Sequence, residues 1–360
     1  MRAVVLFFLS VLAAACSSNG VGAAADPGVR AALDAIIDDV VGAGFAGQLV
    51  VMRDGAIIYD RAAGYADAEG TIPVTDETLY QVSSLVKFFT AVMALKAVED
   101  GKLSLGDTAA TLFPDSALAA RDFTLDELLK HRSGLRSTYA AESISDPARA
   151  IDAIAAANAA HPKDGAFHYS NDGFDALAVA LERIYAAPYE TLFRNMLARP
   201  AGIAGFAFWG EANVDDPHLR GQPLTPTPPE IKGRNYGMLG SAGLLISAGD
   251  LAAFRAALDD GKVLGPAMLA VLDEPRGKIR IGDVLYGAFL VDTPLGPARS
   301  ARGAEDWGDN AYLNAYPDCG VVIAVVTSRG PADVPGKELF RNQIIEPVEQ
   351  ALARDCERQK

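Results

Sequence analysis

The 360-residue sequence predicts an α+β protein: one antiparallel sheet is assembled from both ends of the chain, with a mainly helical region inserted between them. Three observations lead there. A hairpin pattern follows the first helix, strand-like runs return in the last ninety residues, and the stretch between them carries helical periodicity and long loops. The division expected is residues 26–110 and 270–360 for the sheet unit and 111–269 for the helical one.

The elements follow in order. "GVRAALDAIIDDVVGAG" from Gly28 repeats its apolar residues at helical spacing. "AGQLVVMRDGAIIYDRAAGYAD" from Ala46 reads as two strands joined at Asp54-Gly55. "QVSSLVKFFTAVMAL" from Gln81 opens a helix that runs to about Asp100, with Gly101 just past its end. "TLDELLKHRSGL" from Thr124, "FDALAVALERIYAA" from Phe174 and "SAGDLAAFRAALDDG" from Ser247 are the clearest helices of the middle region. The second starts after Asn171-Asp172. In the third, Ser247 is the cap, with Asp250 three residues on. The Pro-rich segment Gly221 to Arg234 is a loop. "VLYGAFLVDT", "NAYLNAYP" and "GVVIAVVTS" are strands, and "KELFRNQIIEPVEQALARDCERQ" from Lys337 is a returning helix despite Pro347. No internal repeat is visible.

Residues 1–25 stand apart from the fold as a signal segment. Arg2 precedes "AVVLFFLSVLAAA", an apolar run too short to span a bilayer. The run ending at Ala15-Cys16 resembles a lipoprotein signal covering residues 1–15, with Cys16 lipidated, although Ala13 replaces the usual Leu three before the cysteine. Ordinary cleavage after Ala23-Ala24-Ala25 is the alternative. Both predict export, to the periplasm or to an outer-membrane anchor. No later segment is long and apolar enough to cross a bilayer, so membrane contact is expected only through the lipid.

Composition narrows the function classes. A formal net charge of −14 leaves no basic surface to displace counterions from nucleic acid. No G-x-x-x-x-G-K-[ST] and no G-x-S-x-G occurs, which argues against a phosphate-binding loop and a Ser-His-Asp elbow. Cys319 and Cys356 fit no zinc spacing. Eight strand residues at ~3.3 Å each match about eighteen helical residues at ~1.5 Å each, so the strand after Cys319 and the final helix should bring the two cysteines to the same edge. A disulfide there and two unrelated cysteines both remain open.

The chemistry concentrates on one turn. Ser84 and Lys87 are three residues apart, on one side of a helical turn. Of ten lysines, only Lys87 has a serine three before it. At a strand-to-helix junction a serine gains from the helix dipole, and its N–H can face a developing oxyanion. Apolar neighbours Leu85, Val86, Phe88 and Phe89 disfavour a charged ammonium, which suits a base. The bland reading is a snorkelling lysine. "FHYSNDG" adds Tyr169 as a second base or relay and Asn171 as a donor to a substrate amide or a partner of Lys87, or else a loop tyrosine with an Asx cap.

S-x-x-K followed 85 residues later by Y-x-N resembles the serine hydrolases of the class C β-lactamase, penicillin-binding-protein and β-lactamase-like esterase superfamily. "VSSLVKFFTAVMALKAVEDGKLSLGD", "LDELLKHRSGL", "GMLGSAGLLISAGDLAAF" and "YGAFLVD" resemble further segments of that family, so the likeness spans nearly all of the chain from Asp26. It implies a β-lactamase/transpeptidase-like fold with the site in the groove between sheet and helices, and acyl-enzyme chemistry on a small ester, amide or peptide. In that chemistry Ser84 attacks, while Lys87 and Tyr169 move protons. It implies no metal and no organic cofactor. The family's third motif is Lys or His, any residue, then Gly. Counting back from Pro317, it falls at Arg302-Gly303-Ala304, with Arg299 or the Gly308 turn as other registers. No Lys or His is present there, and Ala stands for Gly. Arg302 can offer a fixed charge to a carboxylate but no proton. Arg302, Gly303 and Glu305 are the candidate substrate contacts; otherwise Arg302 faces solvent or pairs with Glu305 or Asp306. The altered motif favours esterase or D-amino-acid peptidase-like activity. A true class C β-lactamase or D-Ala-D-Ala carboxypeptidase is the alternative, and a non-catalytic relative that binds cell-wall peptide or a partner is the third reading.

Overall fold

The computed structural model describes residues 25–223, 225–329 and 341–358. Residues 1–24 of the expected signal segment, Cys16 included, lie outside them, as does the start of the final helix at Lys337; Ala25 is buried and its N–H donates to the Ile58 carbonyl. The first helix, α1 (Pro27–Gly42), has Pro27 in its first turn and Asp26 accepting from the Gly28 N–H. Its buried residues Val29, Leu33, Ile37 and Val40 form one stripe. The strands are β1 (Gly47–Arg53), β2 (Ala56–Ala63), β3 (Tyr80–Gln81), β4 (Phe206–Phe208), β5 (Leu244–Ile246), β6 (Lys278–Ile279), β7 (Gly282–Val284), β8 (Phe289–Thr293), β9 (Gly296–Ala304), β10 (Asn310–Tyr316) and β11 (Val321–Thr327).

Eight strands make one antiparallel sheet in the order β2-β1-β11-β10-β9-β8-β7-β6. Asp54 and Gly55 both take positive φ, as a two-residue hairpin turn matched to strand twist requires. The chain ends meet where β1 pairs with β11, Gly47 opposite Thr327. Alternate residues of these strands enter different cores, which is why "GVVIAVVTS" is apolar throughout. Leu49, Val51, Ile323 and Val325 pack under α1 and the C-terminal helix Glu346–Arg358. Val50, Met52, Val322, Ala324 and Val326 face the larger core around α2 (Val86–Glu99).

The helices of the middle region begin where their caps lie. Thr124 and Glu127 form a capping box on the short helix Leu125–Leu129. Ser247 accepts from the Asp250 N–H at the start of Ala248–Asp259. The helix Asn171–Tyr185 differs from expectation. Its cap is Ser170, which accepts from the Gly173 N–H at 2.9 Å, so Asn171 is inside the first turn with its amide released from capping. In the C-terminal helix a π turn, Arg341–Ile345, leads directly into Glu346–Arg358, with Pro347 at the junction, where the π turn accommodates the missing N–H.

Cys319 and Cys356 are bonded, with Cα atoms 5.8 Å apart, tying the C-terminal helix to the turn between β10 and β11. The closed loop of 37 residues is worth about 3–4 kcal/mol in the chain-entropy model. Cys356→Ser should lower unfolding stability by about that amount, and urea titration with and without reductant measures it. Equal midpoints for reduced and oxidised wild type would remove the bond from the stability account.

Candidate active site

The turn that carries Ser84 is built by a backbone contortion. Strand β3 ends at Gln81, Ser83 takes φ +49°, and a single 3-10 turn, Ser83–Leu85, delivers the chain into α2. A left-handed serine is strained by roughly 1–3 kcal/mol and persists only where its surroundings hold it. Strain at this point re-aims the chain so that Ser84 stands at the mouth of the helix.

Lys87 is 1% exposed, inside a helix buried on nearly every side. It does not snorkel. Its ammonium donates to the Ser241 carbonyl at 3.0 Å and approaches the Ser84 Oγ at 3.3 Å. It also lies over the Tyr169 ring, 4.9 Å from the centre. Ser84, Lys87 and Tyr169 are therefore brought together. Asn171 lines the same groove, with its buried Oδ1 lacking a hydrogen-bond partner.

Beneath them lies a second layer that sequence reasoning did not single out. Asp175, one helical turn after Asn171, is fully buried and accepts from the Gly240 N–H at 3.1 Å and the Ser241 hydroxyl at 3.0 Å. It thereby holds the turn whose carbonyl receives Lys87. Burial pushes the Asp175 carboxyl well above the usual range, and the Lys87 charge pulls it partly back. The one available signal was an acidic residue inside the apolar stripe of "FDALAVALE". His131 is pushed down to about 3 by burial and then by the Lys87 charge. Its Nδ1 accepts from the Ser170 N–H at 3.1 Å, and its ring packs 4.6 Å from that of Tyr169. This histidine is a neutral support for the tyrosine.

The wall opposite Tyr169 is β9. A Cβ added at Gly303 would lie 2.0 Å from the Val82 carbonyl oxygen and 2.7 Å from the Ser84 nitrogen. Gly303 is thus the position that lets the strand pass the Ser84 turn. This corrects the register of the third motif: the matching window is Ala301-Arg302-Gly303, one residue earlier, and the glycine is kept. The position of the missing Lys or His is then Ala301, buried in the main core. By strand alternation Ala301 and Gly303 share one face of β9 and Arg302 lies on the other, where it lines a cavity that also reaches Ser84. Tyr312 stands opposite Arg302 on β10, where the Arg302 charge opposes the rise that burial causes in the Tyr312 hydroxyl.

The turn after β9 is locked to the strand before Ser84. Trp307 donates to Gln81 Oε1 at 3.2 Å and Asp309 Oδ2 at 2.9 Å. Asp309 pairs with Arg220 at 2.5 Å, both at 0% exposure. Burial raises Asp309 to about 6 against the pull of that arginine. Both walls of the groove at Ser84 are fixed to each other in this way.

Two cavities meet at Ser84. One, of about 480 Å³, is lined by Glu142, Glu305, Asp306, Tyr139, Asn171 and Trp307 among others. The second, of about 440 Å³, is lined by Arg280, Arg302, Arg341, Phe167, Phe289 and Tyr312 among others. Arg302 and Glu305 thus line separate cavities. Cys319 and Cys356 belong to the core under α1, away from the site.

A family model described as Beta-lactamase matches residues 33–345. The chain is 28% identical to Penicillin-binding protein 4 of Amycolatopsis lactamdurans over 320 residues, covering 81% of this chain and 83% of that protein. It is 27% identical over 252 residues to the putative penicillin-binding protein PbpX of Bacillus subtilis (strain 168), covering 68% of this chain and 63% of that one. Among solved structures, D-amino acid amidase from Ochrobactrum anthropi SV3 complexed with L-phenylalanine amide superposes with a TM-score of 0.76 at 20% identity, over 92% of this chain and 99% of that one. The chain belongs to the Beta-lactamase family and has the serine β-lactamase/penicillin-binding-protein fold.

Proposed function

We propose that the protein is a serine hydrolase that acts by acyl transfer on small esters or amides, in the manner of an esterase or a D-amino-acid peptidase. The observation that carries this reading is the 3.3 Å approach of a fully buried Lys87 to Ser84 at a helix mouth. In the acylation step Ser84 Oγ bonds to the substrate carbonyl carbon. Lys87, as the amine, takes the hydroxyl proton and passes it, with Tyr169, to the departing oxygen or nitrogen as the carbonyl–heteroatom bond breaks. Water then attacks the acyl ester, and its proton returns Ser84 to the hydroxyl form. The Ser84 N–H and the Ala304 N–H, just after the close-packed Gly303, are the proposed oxyanion donors. Beyond Ser300 the edge of β9 has no β8 partner, which supports that assignment. Labelling with a fluorophosphonate, followed by peptide mapping, tests the reading; an unlabelled native protein would refute it.

Arg302 contributes charge rather than protons. Arg302→Ala should reduce kcat/KM about 10- to 100-fold more for a carboxylate-bearing substrate than for a short neutral ester. Equal losses on the two substrates would leave the guanidinium a structural partner of Tyr312.

Export belongs to the same proposal and rests on residues 1–25. Cys16→Ala should release the protein from membranes or block its processing. An unmodified mature N-terminus at Asp26 with unchanged membrane association would contradict lipidation.

A further inference from the structure

Two buried groups of opposite charge lie beneath Ser84 without touching. Among the described residues, the hydrogen-bond partners of Lys87 are neutral: the Ser84 hydroxyl and the Ser241 carbonyl. Asp175 is buried as deeply, and its partners are neutral too: the Gly240 N–H and the Ser241 hydroxyl. One dipeptide, Gly240-Ser241, therefore bonds to both. Ser241 gives its carbonyl to the lysine and its hydroxyl to the carboxylate.

A buried charge is costly unless an opposite charge and hydrogen bonds compensate it. The Lys87 charge is the foremost influence opposing the rise that burial causes in Asp175. That attraction is mutual, so the carboxylate favours the ammonium. The turn between them is held on all sides. A Cβ at Gly240 would lie 2.1 Å from the Phe174 carbonyl oxygen, so the helix Asn171–Tyr185 packs its backbone directly on the turn. Thr90, three residues after Lys87 on α2, donates to the Gly240 carbonyl at 2.7 Å, and its hydroxyl lies 2.6 Å from that of Tyr189. Lysine and carboxylate are thus kept at a fixed separation.

The other titratable groups around the pair have different work. His131 is kept neutral by burial and then by the Lys87 charge. Tyr169 offers Lys87 its ring. Asp172 accepts from Thr138 and from the Asn158 amide, and its charge opposes ionisation of Asp175. The Tyr189 hydroxyl is pushed up by burial first and also by Asp175, Glu190 and Glu182. Ala301 stands where the family's third motif has Lys or His, so that position of β9 brings no second cation to the site.

We infer that Asp175 is a positioning residue of the reaction: held by the Gly240-Ser241 turn, its carboxylate is the counter-ion of Lys87 and sets the pH above which the lysine can serve as the base. The inference rests on the acyl-transfer reading above. As the Ser84 proton moves to Lys87, positive charge appears in a buried site, and the carboxylate is already in place to meet it.

The test follows the rate of Ser84 labelling by a fluorophosphonate from acid to neutral pH, in the full chain and in Asp175→Asn. Asparagine keeps an oxygen for the Gly240 N–H and can donate to the Ser241 hydroxyl oxygen, so the turn survives and the charge is lost. The ammonium is then less favoured, and the acid limb of the profile should move to lower pH by about one unit or more. The plateau should fall, because a weaker base removes the Ser84 proton less readily. The ratio of variant to wild-type rate should therefore grow as pH falls, by about 10-fold for a move of about one unit. A purely structural carboxylate would lower the rate by one factor at every pH; that result, or a limb that stays or moves upward, overturns the inference. If Asp175→Asn does not fold, Lys87→Met tests the same coupling from the other side. Deprived of its cation, the buried carboxyl should show a protonated-carboxyl infrared band at neutral pH that wild type lacks, and absence of the band overturns the inference. If wild-type Ser84 is not labelled, the acyl-transfer reading fails and this inference with it. If Ser84 is labelled and the limb does not move, this inference alone fails.

Discussion

Replacing Ser84 with alanine is expected to abolish fluorophosphonate labelling and to lower kcat by about 10⁶-fold, the scale seen when a nucleophile is removed from a cooperating unit. The competing serines give the test its edge. Ser83 Oγ is buried with no hydrogen-bond partner, and Ser170 Oγ donates to the Arg136 carbonyl while it caps the Gly173 N–H. Labelling at either would sink the assignment. The proton partners extend the same experiment. Tyr169→Phe keeps the ring over the Lys87 ammonium and removes only the hydroxyl, so it isolates the proton function from the packing. Lys87→Ala and Tyr169→Phe should each lower kcat heavily, and the double variant little further, because groups that handle one proton are not additive. Additive losses would mean separate roles.

The second large effect is expected at Gly303. A methyl group there meets backbone, not a side chain that can rotate away: the Val82 carbonyl oxygen at 2.0 Å and the Ser84 and Leu85 nitrogens at 2.7 and 2.9 Å. Either β9 or the nucleophile turn must shift. A shift of about an ångström between nucleophile and oxyanion donor lowers turnover by about 10²-fold, and loss of the donor by 10²- to 10³-fold. Overpacking should also remove about 1–3 kcal/mol of stability. Gly303→Ala therefore predicts a folded protein with a lower melting temperature and kcat reduced at least about 10²-fold. Ala304→Gly serves as the neighbouring control, since its backbone N–H survives. Full activity in Gly303→Ala would show that the strand does not press on the nucleophile as described.

Local signals told most where one residue decides one feature. Asp54-Gly55 marked its turn because few pairs tolerate two left-handed residues, and Ser247 and Thr124 marked helix starts because their side chains replace missing backbone partners. Ser84 and Lys87 were legible because their relation is set within one helical turn. Register was harder. The third wall of the groove was placed by counting across the β9–β10 turn, and an error of one residue there moves a side chain to the other face of the strand. Only the Gly303 contact with Val82 and Ser84 fixes it. The support of Lys87 by Ser241 spans 154 residues, and no local pattern encodes it. The capping role also moved, because Ser170 and Asn171 are both good caps and burial around His131 decides between them.

The pairing of β1 with β11 sets when this site can exist. Thr327 donates its hydroxyl to the Ala46 carbonyl across 281 residues of chain, and the strand that faces Ser84 hangs on the same sheet through β10. The helix that follows Ser84 is made early in synthesis, yet the strand opposite it has no anchor until the last strand of the sheet has been translated and has found the first. Contacts so distant in sequence form slowly, because chain closure must precede any reward. Meanwhile an apolar helix and unpaired strands stand exposed to aggregation. A chain of this connectivity acquires the surroundings of Ser84 last, as a property of the finished molecule rather than of any fragment of it.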